Sequence, residues 1–170
     1  MPCGDAMFKD VVTVTPDQTV AEVLSLFEKH GIRAVPVVDA DKKVVGVYAF
    51  NNLLVSLLPM SGMFGEGIHG MHTLDISLDH LSGSAPWVAR RLKNIMHEKV
   101  KDVMVADPAT VREDTPLREG IRLMVKYGSP LPVVKSEKDK TLVGLISSQT
   151  AIKTLLQIAE HVKKGKEVEE

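Results

Sequence analysis

Apolar residues near the start of the chain follow first a helical and then a strand-like period. Val20, Val23, Leu24 and Phe27 recur at i, i+3, i+4 and i+7, the spacing of one face of an amphipathic helix. Thr19, with Glu22 three residues on, has the pattern of a capping box, and Gly31 follows as a residue free to take positive φ past a helix end. The runs "AVPVVD" and "KVVGVYA" then flank a charged turn, which predicts two paired strands. A second helix is predicted over Asn52 to Leu58.

The same order returns later in the chain. "GDAMFKDVVTV" (Gly4 to Val14) aligns with "KDVMVADPATV" (Lys101 to Val111) at an offset of 97 residues, pairing Asp5 with Asp102, Met7 with Met104, Asp10 with Asp107 and Gly31 with Gly128. One residue is missing before Pro132, the partner of Pro36, and two extra residues in the next turn bring Gly144 opposite Gly46. In this copy Thr115 is the candidate helix cap, Pro116 takes the first helical position, and Leu117, Ile121 and Met124 form the buried face. Gly120 weakens that helix by about 1 kcal/mol relative to alanine. "LPVVK" and "TLVGLIS" supply the strands, and a long helix from Gln149 to Lys164 has Ile152, Leu155, Leu156 and Ala159 as its apolar face.

The expected architecture is α/β (α+β): two pseudo-symmetric β-α-β-β-α repeats packed through their sheets. Residues 1–58 form the first repeat, 59–99 a linker with a helix near 85–97, 100–160 the second repeat and 161–170 a charged tail. A unit of ~55 residues buries only about 60% of its unfolded surface, so the repeats are expected to form one module.

Composition narrows the function. The formal net charge is −1 with both signs interspersed, so no basic stripe exists to bind nucleic acid. Cys3 is the only cysteine, which excludes an internal disulfide, fits a reducing compartment and reads as a small apolar residue. The most apolar stretch, Leu53 to Met60, falls far short of the ~20 residues that cross a bilayer; a cytoplasmic protein without membrane insertion is expected. An enzyme would need a nucleophile with its base, a metal site or a phosphate loop, and none is legible. His30 is explained by the favourable field at a helix end.

The order D-x-M-x-x-D, a T-V before the helix, G-x-x-x-h-P-V-V-D and then V-G-h-h resembles the cystathionine β-synthase (CBS) domain, and two copies in tandem resemble a Bateman module. The resemblance implies a regulatory module rather than an enzyme, with clefts between the repeats for adenosine-containing ligands. AMP, ADP, ATP and S-adenosylmethionine are the expected ligands, a homodimer the expected assembly and an unknown regulated protein the expected partner. A ligand-free interaction or dimerisation module is the alternative. By position, Val12, Thr13 and Val14, with Ile32, Arg33, Ala34, Val35 and Pro36, would line one site. Ala109, Thr110 and Val111, with Ser129, Pro130, Leu131 and Pro132, would line the other. Arg33 is the phosphate candidate, because its guanidinium fork suits oxyanions.

Ligand-binding members end in G-h-h-[ST]-x-x-D, whose carboxylate receives both ribose hydroxyls. Here Asn52 and Thr150 stand in place of that carboxylate, and the hydroxyl survives only as Ser147. A hydrogen bond to a charged group contributes about 1.5 to 3 kcal/mol, so a clamp lacking it binds roughly 10- to 100-fold less tightly. The Ser147 copy is therefore expected to be the better site.

Between the repeats, Met60, Met63, His69, Met71 and His72 are residue types that suit soft or borderline ions. No thiol or carboxylate arrangement fixes a geometry, so no metal is assigned; a glycine-rich linker or an adaptable partner contact accounts for them. Ser84, Pro86, Val88, Leu92, Ile95 and Met96 mark the cap, first turn and face of the following helix, with Trp87 as a packing anchor.

Overall fold

The computed structural model describes residues 1–58 and 85–166, so the methionine- and histidine-containing part of the linker and the end of the tail lie outside the described residues. A 3-10 turn (Cys3–Asp5) is followed by α1 (Val20–His30), β1 (Ala34–Val38), β2 (Val44–Ala49) and α2 (Phe50–Leu57). Next come α3 (Ala85–Ile95), α4 (Val100–Val103), β3 (Val105–Ala106), β4 (Val111–Arg112), α5 (Leu117–Tyr127), β5 (Leu131–Val134), β6 (Leu142–Ile146) and α6 (Ser148–Lys166). They form two three-stranded sheets, β1-β2-β3 and β4-β5-β6, and the mixed α/β class is as expected.

The chain divides into two compact units. The unit of the first repeat holds residues 12–40 and 45–107; the unit of the second repeat holds 1–11, 41–44 and everything from 108 onward. Each unit thus takes its opening segment, hereafter its arm, from the other repeat.

The two dockings match bond for bond. In the unit of the second repeat, the Cys3 N–H donates to Thr115 O (2.7 Å), Gly4 N–H to Glu113 O (2.9 Å) and Leu117 N–H to Met1 O (3.0 Å). In the unit of the first repeat, the Val100 N–H donates to Gln18 O (2.9 Å), Lys101 N–H to Pro16 O (3.0 Å) and Val20 N–H to Glu98 O (3.0 Å). Every partner in the second set lies 97 positions from its counterpart in the first. Further along, Phe8 exchanges both backbone bonds with Leu145 at 3.0 Å, and β3 pairs antiparallel with β2 through Val105 and Val47.

The shared D-x-M and V-G phrases meet in this docking. A Cβ on Gly144 would lie 2.6 Å from Met7 Sδ, and a Cβ on Gly46 would collide with Met104 Sδ. A side chain at either place would need the arm methionine to move aside and would also lie 3.0 Å from an arm backbone oxygen, Phe8 O at Gly144 and Val105 O at Gly46.

In the unit of the first repeat, Thr19 and Glu22 form the expected capping box, and Gly31 ends α1 in the left-handed region at φ 61°. Val20, Val23 and Phe27 of α1 are buried with Val35, Val37, Tyr48, Leu53, Ile95 and Val100. Phe27 stacks on Tyr48 and meets Phe50 edge-on at 4.8 Å. The expected opening strand shrinks to one parallel bridge, Val14 to Val37.

In the unit of the second repeat, β4 runs parallel to β5 and β5 antiparallel to β6. The Thr115 hydroxyl turns back to accept the Arg112 N–H at 2.9 Å, so it does not cap α5, whose N-cap is Pro116. Leu117 and Met124 are buried as expected, together with Cys3, Val111, Leu131, Val133, Ile146 and Ala151. The Cys3 thiol is 3.8 Å from Pro116 O, and burial pushes its pKa up, so it is an inert core group.

The apolar face expected on the last helix is not covered within its unit. Ile152 is 56% and Leu156 59% exposed, Leu155 and Ala159 are exposed too, and Ala151 is the buried contact. Periodicity located the stripe correctly. What it cannot encode is the surface that covers it.

Two predictions follow from the cores. Gly120 would place a Cβ 2.6 Å from Cys3 Sγ. Gly120→Ala is therefore expected to destabilise by about 1–3 kcal/mol despite alanine's better helix propensity. Cys3→Ala removes the clashing sulfur, so the double variant should recover most of that loss in urea unfolding; additive losses would contradict the packing. Tyr48 has a fully buried hydroxyl with no hydrogen-bond partner among the described residues. Its pKa is pushed up to about 12, first by burial and then by the charge of Glu98. A raised folded pKa gives stability that is whole below pH 10.0, the ordinary tyrosine value, and lost as pH rises toward 12. Tyr48→Phe should flatten that alkaline loss and raise stability at pH 7 by about 1 kcal/mol; a clear drop at pH 7 would mean that the hydroxyl is satisfied.

Candidate functional site

Each unit gathers its own set of predicted residues at the start of the helix that follows its sheet. In the unit of the first repeat these are Val12–Val14, Ile32–Pro36 and Asn52. Val14, Val35 and Pro36 have buried side chains, so they can offer only backbone. Val14 has already used its own: its N–H donates to Pro36 O at 3.2 Å and its O accepts from Val38 N–H at 2.9 Å. Thr13 and Arg33 are exposed, while Val12, Ile32, Ala34 and Asn52 are half-buried. Arg33 O accepts the Phe50 N–H at 2.9 Å, which fixes the loop before β1 against the first turn of α2.

Asn52 Oδ1 accepts the Ala49 N–H at 2.9 Å. This is half of a capping box, since Ala49 has no side-chain oxygen to return the bond and no side chain caps α2. The amide's outward group is consequently a donor. A carboxylate at this position could accept the same bond and keep a second acceptor oxygen.

In the unit of the second repeat, Ala109–Val111, Ser129–Pro132, Ser147 and Thr150 come together. Val111, Leu131 and Pro132 are buried; Ala109, Thr110, Pro130, Ser147 and Thr150 are half-buried; and Ser129 is exposed. The Ser129–Pro130 peptide is cis. Here the box is complete: Thr150 Oγ1 accepts the Ser147 N–H at 3.0 Å and Ser147 Oγ accepts the Thr150 N–H at 3.1 Å. Ser129 Oγ accepts the Ser148 N–H at 2.9 Å. Sequence reasoning did not single out Ser148 or this second cap. The signal was present in serines just before β5 and just after β6, but only the fold closes that pair.

The two sites are thus chemically unequal. One presents a half-capped helix, an asparagine amide and the exposed Arg33 side chain; the other presents hydroxyls around a capped helix. None of these named residues is a carboxylate. Among the described residues no cluster of three or more His, Cys, Asp or Glu is placed to hold a metal ion.

The caps give a third prediction. Ala49→Ser should complete the box and stabilise the protein by about 1 kcal/mol, while Ser147→Ala should cost about the same. Denaturant midpoints check both, and equal effects of one sign would contradict the asymmetry.

Comparison with known proteins agrees with this architecture. A family model for the CBS domain matches residues 3–58 and 100–157. The CBS domain-containing protein CBSX1 of Arabidopsis thaliana is 31% identical over 159 residues, covering 91% of this chain and 64% of CBSX1. An inosine-5'-monophosphate dehydrogenase of Methanocaldococcus jannaschii is 27% identical over 150 residues, covering 88% of this chain. The chain spans only 22% of that enzyme's length. Among solved structures, CBSX2 in complex with AMP superposes with a TM-score of 0.64 at 23% identity, covering 93% of this chain and 98% of that one. The CBS domain pair of protein MJ0100, in complex with 5'-methylthioadenosine and S-adenosyl-L-methionine, gives 0.61 at 20% identity, covering 92% and 96%. No described helix is long and apolar enough to cross a membrane. With the repeated phrases, the two small sheets and these matches in agreement, the chain belongs to the CBS domain family, as a tandem pair.

Proposed function

We propose that this CBS pair is a regulatory module that binds an adenosine-containing ligand and thereby alters a partner protein. The observation that carries the reading is the convergence, within each unit, of the residues leading to the Val14 bridge or to β4, the loop before β1 or β5, and the start of α2 or α6. Solved CBS pairs of the same fold hold AMP or S-adenosyl ligands, which supports the ligand class. The site around Ser147 is the stronger of the two, because its hydroxyls and the Ser129 loop are already fixed in place and need little ordering. Ligand binding regulates only if it favours one arrangement over another, and the partner is the protein that reads that difference.

A second reading, an interaction module without ligand, has its own support. Asn52 and Thr150 provide no carboxylate, the Ser147 and Thr150 hydroxyls are engaged with each other and the backbone, and α6 exposes Ile152, Leu155 and Leu156. Homodimerisation through that stripe fits either reading.

Calorimetric titration with AMP, ADP, ATP and S-adenosylmethionine separates the two. Heat is expected with at least one of them at sub-millimolar concentration, and Asn52→Asp should tighten binding at its own site by about 10- to 100-fold. Silence from all four ligands, in the native protein and in Asn52→Asp, would leave the interaction module as the function.

A further inference from the structure

The arms end where the candidate sites begin. Phe8 is bonded both ways to Leu145 in the unit of the second repeat; Leu145 lies two positions before Ser147, and Phe8 four before Val12. Val12 already belongs to the unit of the first repeat. In mirror fashion β3 is bonded to β2 through Val47, two positions before Ala49. Its chain runs on through Asp107 to Ala109 in the unit of the second repeat.

Both links are short and held. Val11 N–H donates to Lys9 O at 2.9 Å, and Asp107 N–H donates to Val45 O at 3.2 Å. Asp107 sits at φ 46°, in the left-handed region that aspartate enters more readily than most side chains, and Pro108 follows with its own φ fixed. Asp107 and Pro108 stand on either side of the boundary between the units, so adjacent residues of the chain belong to different units.

We infer that the exchanged arms couple the two candidate ligand sites: a shift of the β3 arm on β2 repositions Ala109–Val111, and a shift of the Phe8 arm on β6 repositions Val12–Val14. The bistable element is the arm, docked or loosened, with Met104 on Gly46 and Met7 on Gly144 as its clasps. Linkage makes the effect reciprocal, so a ligand that orders one site's strand tightens the clasp beside the other. The proposal rests on the reading of these residues as ligand sites, but its mechanical half does not.

The test uses the full chain with Met104→Ala, which removes the clasp side chain in the unit of the first repeat and touches no proposed ligand contact. Amide hydrogen exchange without ligand should quicken by about 2- to 30-fold from Val105 through Val111. AMP affinity at the Ser147 site should fall by a similar factor. Faster exchange confined to residues 104–106 and β2 would overturn the coupling, as would an unchanged AMP affinity beside a loosened arm. If AMP gives no heat with either protein, the ligand reading fails and exchange at Ala109–Val111 alone decides the coupling. Should Met104→Ala not fold, Met104→Leu keeps the volume but branches where the thioether approaches Gly46, and the same exchange profile is read. Val125→Ala, at a side chain 83% exposed, is the control and should leave both measurements unchanged.

Discussion

The reciprocal docking of the arms is the constraint on which the rest of the structure depends. Each arm is held by backbone hydrogen bonds from N–H groups near its start and then by a strand-type pairing near its end. Without the arm, β2 and β6 would each present a pairing edge, and an open edge is a hazard that folded proteins cover. A glycine on each of those strands would also face solvent where a thioether now lies. The arm closes the sheet and completes the core together: Cys3 and Ala6 are buried in one unit, Val100 in the other.

With the sheets closed in this way, the helix starts become fixed points. Phe50 N–H is tied to Arg33 O and Ser148 N–H to Ser129 Oγ, so in each unit the loop entering β1 or β5 is bound to the helix leaving the sheet. The two starts then diverge in chemistry. Ala49 leaves α2 without a capping hydroxyl, whereas Ser147 and Thr150 satisfy each other's N–H groups. A duplicated frame thus presents two different polar surfaces, and the difference arises from a few side chains rather than from the backbone.

Much of this was legible in the sequence, and what was not has a physical cause. The capping box at Thr19, the left-handed Gly31 and the paired β-branched runs depend on neighbours within a few residues, and local chemistry decides them. The arm exchange was invisible because the 97-residue offset states that two segments are alike, not which body each joins; D-x-M reads the same whether its methionine covers its own glycine or the other. Thr115 has the side chain of a helix cap, but Pro116 moves the start of α5 along by one position and leaves that hydroxyl free for Arg112. The stripe on α6 shows the limit of periodicity: Ile152 and Leu156 recur as core residues would and are exposed within their unit. At the candidate sites, residue types were readable from the motif, while the Ser129 to Ser148 bond required the fold.

The exchange also dictates an order of events during synthesis. A ribosome delivers the chain from its amino end, so α1, β1, β2 and α2 are made well before the strand that completes their sheet, β3, has been translated. Cys3 must wait longer still, since its partner Pro116 lies 113 positions on. Contacts so distant along the chain close late and slowly, which leaves unfinished sheet edges exposed on the nascent protein in the meantime. A fold that exchanges its leading segments therefore matures at the end of translation rather than half by half.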